Sequence, residues 1–157
     1  MTVLLSLEGA AETETTLGKR LVAEARALLK ALQLVRREVS LVLTDDAHIR
    51  VLNAQWRDED KATDVLSFPM DELTPGDKIA KSGPLGDIVL SLETTAREAQ
   101  AIGWQRDAFA TFLLVHGFCH LLGHDHGDPD EAAAMKAAED ALFAIVAPGS
   151  TRPPTPY

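Results

Sequence analysis

Four of the five histidines of the chain lie within the segment His116-Gly-Phe-Cys-His-Leu-Leu-Gly-His-Asp-His126. Three imidazoles can hold one metal ion and leave a coordination position open for water or a substrate, as in catalytic zinc sites. His116 and His120 are spaced so that both face one ion from a helix. Gly123 can end that helix with a left-handed turn, which returns His126 to the same face. The pattern predicts a catalytic metal site at the C-terminal end of a buried helix.

The residue types alone leave parts of this site open. Zinc is the expected ion, one per chain, but copper, nickel and iron also accept nitrogen ligands. His124 competes with His126 for the third ligand position, or it contacts substrate or solvent. Asp125 either orients a ligand histidine or caps the loop. Cys119 is expected to be a packed apolar residue rather than a ligand.

Gly117 bears on the class of reaction. Zinc peptidases of the H-E-x-x-H type carry a glutamate directly after the first histidine, where it acts as the general base. Gly117 occupies that position here. A zinc peptidase is therefore a disfavoured alternative, although the histidine spacing first suggests one.

The composition, 46% hydrophobic and 25% charged, is typical of a globular domain that is not embedded in a membrane. No apolar run reaches the roughly 20 residues of a membrane span, so we expect a cytoplasmic protein. The net charge of −9 argues against nucleic-acid binding through bulk charge. Residues 14–50 nevertheless hold seven Lys/Arg against five Asp/Glu. Lys19, Arg26 and Lys30 share one face of a predicted helix there, and they are candidate RNA contacts or simply part of a mixed solvated surface.

The elements that must position the histidines are predicted from periodicity and from Gly and Pro signals. Strands are expected near residues 3–7, 38–44, 64–69 and 86–91, with Pro69 placing the third at a sheet edge or end. Helices are expected near residues 14–33, 45–52, 92–102, 105–122 and 130–146, and a loop over 71–84. The fold class is α+β: one domain over residues 1–147, with a small sheet of about four strands packed with about five helices. The proline-rich tail, 148–157, is predicted to be disordered.

Three segments together resemble the YbeY family of ribosomal-RNA maturation factors. The histidine segment is similar to the family signature H-G-x-L-H-L-x-G-Y-D-H, with Cys119 and His124 replacing the usual aliphatic and aromatic residues. Residues 52–69 resemble the family pattern L-N-x-x-Y/W-R-x-x-D-x-P-T-D/N-V-L-S-F-P. They read Leu-Asn-Ala-Gln-Trp-Arg-Asp-Glu-Asp-Lys-Ala-Thr-Asp-Val-Leu-Ser-Phe-Pro, with Ala62 where proline is usual. Leu85-Gly-Asp-Ile-Val-Leu-Ser91 is the third match. The resemblance runs in order from about residue 40 to 145.

This resemblance implies a zinc-dependent endoribonuclease that is specific for single strands. It further implies a role in maturation of the 3′ end of 16S ribosomal RNA and in ribosome quality control, with the small ribosomal subunit as partner. The implied fold is α+β with a small mixed sheet, and the implied zinc ligands are His116, His120 and His126. The alternative from another class is a ribosome-assembly or RNA-binding factor with a mainly structural metal. Neither the residues nor the resemblance gives an oligomeric state.

Arg57 is the predicted phosphate clamp, because a guanidinium binds phosphate oxygens in a bidentate way and stays charged. The family block places an arginine at this position. Without the resemblance, an ion pair with the acidic run that follows it would be the preferred interpretation. Trp56 is a candidate for stacking on a base, with partial burial as the alternative. The general base is not identified: Glu59 and Asp125 are candidates, and either water or the ribose 2′-hydroxyl attacks.

Overall fold

The computed structural model describes residues 3–154. It contains four strands and five helices, as predicted, and a short 3-10 helix at Gly9–Ala11. The strands are β1 (Val3–Leu7), β2 (Arg36–Thr44), β3 (Val65–Pro69) and β4 (Ser82–Ser91). The helices are α1 (Thr15–Ala31), α2 (Asp46–Arg57), α3 (Leu92–Ala101), α4 (Arg106–Leu121) and α5 (Pro129–Val146). In the described part of the chain, no helix is long and apolar enough to cross a membrane.

The sheet is mixed, with the strand order β1-β2-β4-β3. β1 and β4 both run parallel to β2, whereas β3 runs antiparallel to β4. β3 is an edge strand and ends at Pro69, in agreement with the prediction, because proline cannot donate to a further ladder. The α+β class and the small mixed sheet are therefore confirmed.

The two faces of the sheet carry different layers of helix. Val39, Leu41 and Leu43 of β2 are fully buried in the main core, which they share with α1, α4 and α5. Val42 alternates to the opposite face, where it packs against a smaller cluster that contains Ile49 of α2. The histidine helix α4 thus lies on the main-core face, and α2 covers the other.

The second helix extends further than the sequence predicts. Asp45 caps α2, because its side chain accepts a hydrogen bond of 3.0 Å from the His48 amide. The helix was expected to end near Leu52 but continues to Arg57, where Asp58 adopts a left-handed conformation with φ of 60°. The extension places Arg57 in the last helical turn, beside β3.

Part of the proline-rich tail, residues 148–154, lies within the described residues and contacts α5. Pro153 is buried, and the Arg152 guanidinium forms an ion pair with Glu139 of α5. A fully buried carboxylate needs a counter-charge, and that requirement gives this part of the tail a binding partner. Residues 155–157 of the predicted tail lie outside the described residues.

Arg37 holds the loop between β3 and β4 in place. Its side chain is almost fully buried and donates hydrogen bonds of 2.7–2.9 Å to the carbonyls of Ala80, Gly83 and Pro84. It also forms a 2.8 Å ion pair with Asp71. One guanidinium therefore satisfies four acceptors, two in the loop that leads from β3 to β4 and two at the start of β4.

Replacing Arg37 with methionine is expected to lower the free energy of unfolding by about 2–4 kcal/mol, because the loop acceptors lose their buried donors. Urea denaturation measures this as a lower midpoint at an unchanged m-value. The matched control is Arg36→Met, which removes an exposed neighbour and should change the stability little. Equal midpoints for the two variants would show that Arg37 does not anchor the loop.

Candidate metal centre

Helix α4 brings the first two histidines together on its last two turns. The Nε2 atoms of His116 and His120 are 3.2 Å apart. The ring nitrogens of His116, His120 and His126 form a group in which one atom from each lies within 4.8 Å of the others. The structure therefore assembles the predicted three-imidazole cluster, with His126 as its third member.

The turn that ends α4 explains how the third histidine returns to the helix. Gly123 has φ of +97°, and its N–H bonds to the His120 carbonyl, while the His124 N–H bonds to the Cys119 carbonyl. This pair of bonds is the Schellman pattern of helix termination. A Cβ at Gly123 would also lie 2.5 Å from the Leu73 carbonyl oxygen, so the loop before β4 requires glycine as well.

The same turn orients His120. Its Nδ1 lies 2.9 Å from the carbonyl oxygen of His124, which can only accept a hydrogen bond. The proton of the His120 ring is thereby assigned to Nδ1, and its Nε2 is left as a lone pair. His124 thus orients His120 through its backbone, and its side chain lines the cavity that opens beside the three histidines.

His116 is oriented by a carboxylate that the sequence analysis missed. Its Nδ1 lies 2.7 Å from Oε2 of Glu139, whose side chain is completely buried in α5. Oε1 of Glu139 pairs with Arg152. Histidine ligands of metals commonly donate their other N–H to a carboxylate or a carbonyl, which fixes the ring and makes it a better ligand.

These contacts fit a metal ion held by the Nε2 atoms. When both rings are neutral and direct Nδ1–H at their acceptors, the unprotonated Nε2 atoms of His116 and His120 face one another at 3.2 Å, an arrangement that a shared cation stabilises. On a tetrahedral zinc ion, with bonds of about 2.0–2.1 Å, ligand nitrogens are about 3.3 Å apart. The spacing of the two nitrogens is thus close to what zinc requires.

Burial favours the neutral form of His120. Burial, together with the neighbouring His116 and His126, lowers the pKa of His120 to about 4. A histidine must be neutral to bind a metal, so His120 is ready to bind across the physiological range. Burial also raises the pKa of the Cys119 thiol, which keeps it protonated and supports its expected role as a packed residue.

A cavity of about 910 Å³ opens beside the histidines and is bordered by Arg57. The Arg57 guanidinium lies 5.1 Å from the centroid of the Phe68 ring, and its Nη2 donates a 2.5 Å hydrogen bond to the Ser67 carbonyl. The Ser67 hydroxyl in turn donates to the Gly117 carbonyl of α4 at 3.4 Å. Strand β3 therefore links the arginine to the histidine helix.

The alternative of a surface ion pair for Arg57 is not what forms in the described residues. The acidic run after Arg57 is instead engaged by two other cations. Arg50 binds Asp60 at 2.8 Å, and Lys61 binds Glu59 at 3.4 Å. Arg57 is consequently placed beside the cavity rather than against its sequence neighbours.

Other predicted contacts are not brought to this cavity. Trp56 is 60% exposed and borders a separate cavity behind Phe68, with which it makes an edge-on contact at 6.5 Å. Lys19, Arg26 and Lys30 are exposed on α1 and do not border the histidine cavity. Of the two candidate bases, Asp125 lines the cavity, and its Oδ1 accepts a hydrogen bond from the His126 amide; Glu59 does not line it.

Gly117 faces the sheet and not the cavity. A Cβ built there would lie 3.0 Å from a methyl group of Ile88 and 3.2 Å from the Ser67 hydroxyl. A glutamate at this position would project into the packed layer between α4 and the sheet. A side chain at position 117 would therefore be directed at the sheet rather than at the histidine cavity.

The fold is similar to that of a solved structure, the solution structure of a protein from Thermotoga maritima, with a TM-score of 0.64 over 92% of this chain and 89% of that one. The two sequences are 23% identical, so the likeness shows the fold alone.

Relatives and a family model extend the comparison to sequence. Proteins named endoribonuclease YbeY from Agrobacterium fabrum and Rhizobium meliloti are 51% and 53% identical, over 69% and 68% of this chain. A protein of the same name from Myxococcus xanthus is 48% identical over 76% of this chain. The matched part spans 64%, 62% and 40% of these three relatives' own lengths. The family model described as endoribonuclease YbeY matches residues 8–147, and the chain therefore belongs to the YbeY family.

Proposed function

We propose that this protein is a zinc-dependent endoribonuclease that cleaves single-stranded RNA. One zinc ion is held by His116, His120 and His126, and Arg57 binds the phosphate at which the chain is cut. The observation that carries the proposal is the convergence of three imidazoles and one guanidinium on a single cavity. The names of the relatives supply the reaction class.

The charges around the cavity make a metal ion necessary for this function. Its lining includes the carboxyl groups of Asp64, Glu72 and Asp125, together with Asp71, which is paired with Arg37, against one guanidinium, that of Arg57. The negative carboxylates of the lining repel an RNA phosphate that enters the cavity. A divalent cation on the histidines reverses the balance where the phosphate must lie, so cleavage is expected to depend on the metal.

Each residue of the site has a separate role in this mechanism. The zinc ion, when bound, supplies a Lewis acid that polarises a phosphoryl oxygen and acidifies water. Arg57 has one hydrogen bond among the described residues, to Ser67, so other N–H groups of its fork are available to phosphate oxygens. Glu139 and the His124 carbonyl hold the Nδ1 protons of His116 and His120 and keep both Nε2 atoms directed at the ion.

The biological substrate belongs to the same proposal. The resemblance supports the 3′ end of 16S ribosomal RNA, ribosome quality control, the small ribosomal subunit as partner and a cytoplasmic location. His124 lines the cavity and is the proposed additional contact to RNA. Trp56, Lys19, Arg26 and Lys30 are proposed to contact RNA only outside the cavity, along a longer substrate.

The test is cleavage of a labelled single-stranded RNA, compared with the same strand in a perfect duplex. The single strand is expected to be cut and the duplex left intact. A zinc chelator should stop the reaction and added zinc should restore it. The termini of the products identify the nucleophile. Attack by the 2′-hydroxyl leaves a 2′,3′-cyclic phosphate, whereas attack by water leaves a linear phosphomonoester.

A different outcome would favour the alternative function. If the zinc-loaded protein binds RNA or small ribosomal subunits but cuts neither at stoichiometric amounts, the protein is an assembly factor with a mainly structural metal. Cleavage of casein by the wild-type protein would instead support a peptidase, against the expectation from Gly117.

A further inference from the structure

The tail after α5 passes directly beside the histidine cluster. Arg152 pairs with Glu139, and its guanidinium also lies 5.6 Å from the centroid of the Phe112 ring of α4. Pro153 is buried, and Pro154 borders a second cavity, of about 410 Å³, together with His116 and His126. The tail is thus in contact with both helices that build the metal site.

Glu139 connects this tail to a proposed ligand. Its side chain has no exposure to solvent, and its two oxygens face different partners: Oε1 faces Arg152 and Oε2 lies 2.7 Å from Nδ1 of His116. A carboxylate taken out of water at this depth is stable only when it is paired. A pairing at Oε1 also fixes the rotation of the carboxylate, and so determines where Oε2 points.

We propose that Arg152 is a positioning residue of the metal site. By holding Oε1 of Glu139, it keeps Oε2 on the Nδ1 proton of His116 and so keeps Nε2 of that ring directed at the ion. The inference rests on the proposed metal-binding role of His116. Arg152 lies beyond residue 147, where the match to the family model ends.

A second contact strengthens the position of the arginine. Its Nε lies 3.6 Å from the carboxylate of Asp140, the neighbour of Glu139 on α5. The guanidinium is therefore hydrogen-bonded to Glu139, lies against the Phe112 ring and is within ion-pair range of Asp140. Lysine cannot reproduce a planar fork that binds a carboxylate while lying over an aromatic ring, so the site is specific for arginine.

The experiment measures zinc affinity in the full chain by competition with a chromophoric chelator. Arg152→Ala is expected to weaken zinc binding by roughly tenfold, the lower end of the range for partners that orient metal ligands. Arg152→Lys should recover part of this loss. The cobalt-substituted protein gives a second readout, because a displaced His116 changes the visible absorption spectrum of the bound Co²⁺.

The matched control is Arg106→Ala. Arg106 makes a comparable, partly buried ion pair with Glu14, at 2.8 and 3.0 Å, but does not border the histidine cavity. Its loss should leave zinc affinity within about twofold of the wild type, inside the usual scatter of independent sites. Equal affinities for folded Arg152→Ala and wild-type protein would overturn the proposal.

A double-mutant cycle with Glu139→Gln keeps the proposal testable if Arg152→Ala folds poorly. The glutamine removes the buried charge yet retains an oxygen for His116. If Arg152 acts through Glu139, adding Arg152→Ala to this variant should cause little further loss of zinc. A full tenfold loss of zinc affinity in both backgrounds would show that Arg152 does not act through Glu139.

Zinc binding that depends on Arg152 without any RNA cleavage would contradict the proposed function and leave this inference standing.

Discussion

Replacing His116 or His120 with alanine is expected to empty the metal site and to abolish RNA cleavage. Each variant removes one of two nitrogens that lie 3.2 Å apart, and two remaining imidazoles hold zinc far more weakly than three. A Lewis acid contributes several kcal/mol to the transition state. The rate should therefore fall by about 10³-fold or more, since 1.36 kcal/mol corresponds to a factor of ten.

Two measurements separate binding from chemistry in this series. Elemental analysis should find one zinc per wild-type chain and almost none in His116→Ala, His120→Ala or His126→Ala. The cleavage assay on the same preparations should show the parallel loss of activity. Undiminished cleavage by highly purified His116→Ala and His120→Ala proteins would assign the activity to a contaminant.

His124→Ala and His48→Ala are the matched controls. His124 orients His120 through its backbone carbonyl, which alanine retains, so His124→Ala should keep its zinc. His48 lies on α2 and pairs with Asp45, away from the cluster. If His124→Ala loses zinc while His126→Ala retains it, then the third ligand is His124 and the assignment of His126 is wrong.

Arg57→Ala is expected to reduce kcat/KM for RNA by about 10²–10³-fold while leaving the zinc content unchanged. A charged donor aimed at the reacting phosphate is worth this much when it acts in a preorganised site. The guanidinium is preorganised here by the Phe68 ring and the Ser67 carbonyl. Arg57→Lys should recover little, because an ammonium group lacks the planar fork.

The control for this arginine lies on the same helix. Arg50→Ala removes an exposed guanidinium that pairs with Asp60 and does not border the histidine cavity. Its cleavage rate should stay near that of the wild type. If Arg50→Ala and Arg57→Ala reduce cleavage equally, the effect reflects the general positive charge of α2 rather than a phosphate clamp.

Local patterns predicted most of the fold because they act over a few residues. Apolar periodicity and Gly123 were enough to place α4 and its end, and the histidine spacing then gave the cluster. The end of α2 was misplaced: the helix continues from Leu52 to Arg57, and its last turn contacts Ser67 and Phe68 of β3, which lie far enough along the chain to escape local patterns. Tertiary contacts override weak local preferences in this way.

The residues that orient the histidines, Glu139 and Arg152, could not be predicted from local sequence patterns. Glu139 is 23 residues from His116, and on α5 it resembles any other acidic residue of a charged helix. Only its complete burial distinguishes it, and burial is a property of the folded chain. Arg152 lies in a proline-rich segment whose composition predicts disorder, so its partner had to be seen before its role could be inferred.

The packing of Gly117 has a consequence for how catalysts of this kind can change over evolution. The histidine spacing is shared with zinc peptidases, and a single substitution at residue 117 would complete their sequence motif. The new side chain would start 3.0 Å from Ile88, inside the layer that joins α4 to the sheet, and a carboxylate there would be buried without a partner. The peptidase motif is therefore one mutation away in sequence but separated by a destabilised intermediate. A laboratory lineage selected for peptide hydrolysis should acquire its base elsewhere on the cavity wall and keep glycine at this position.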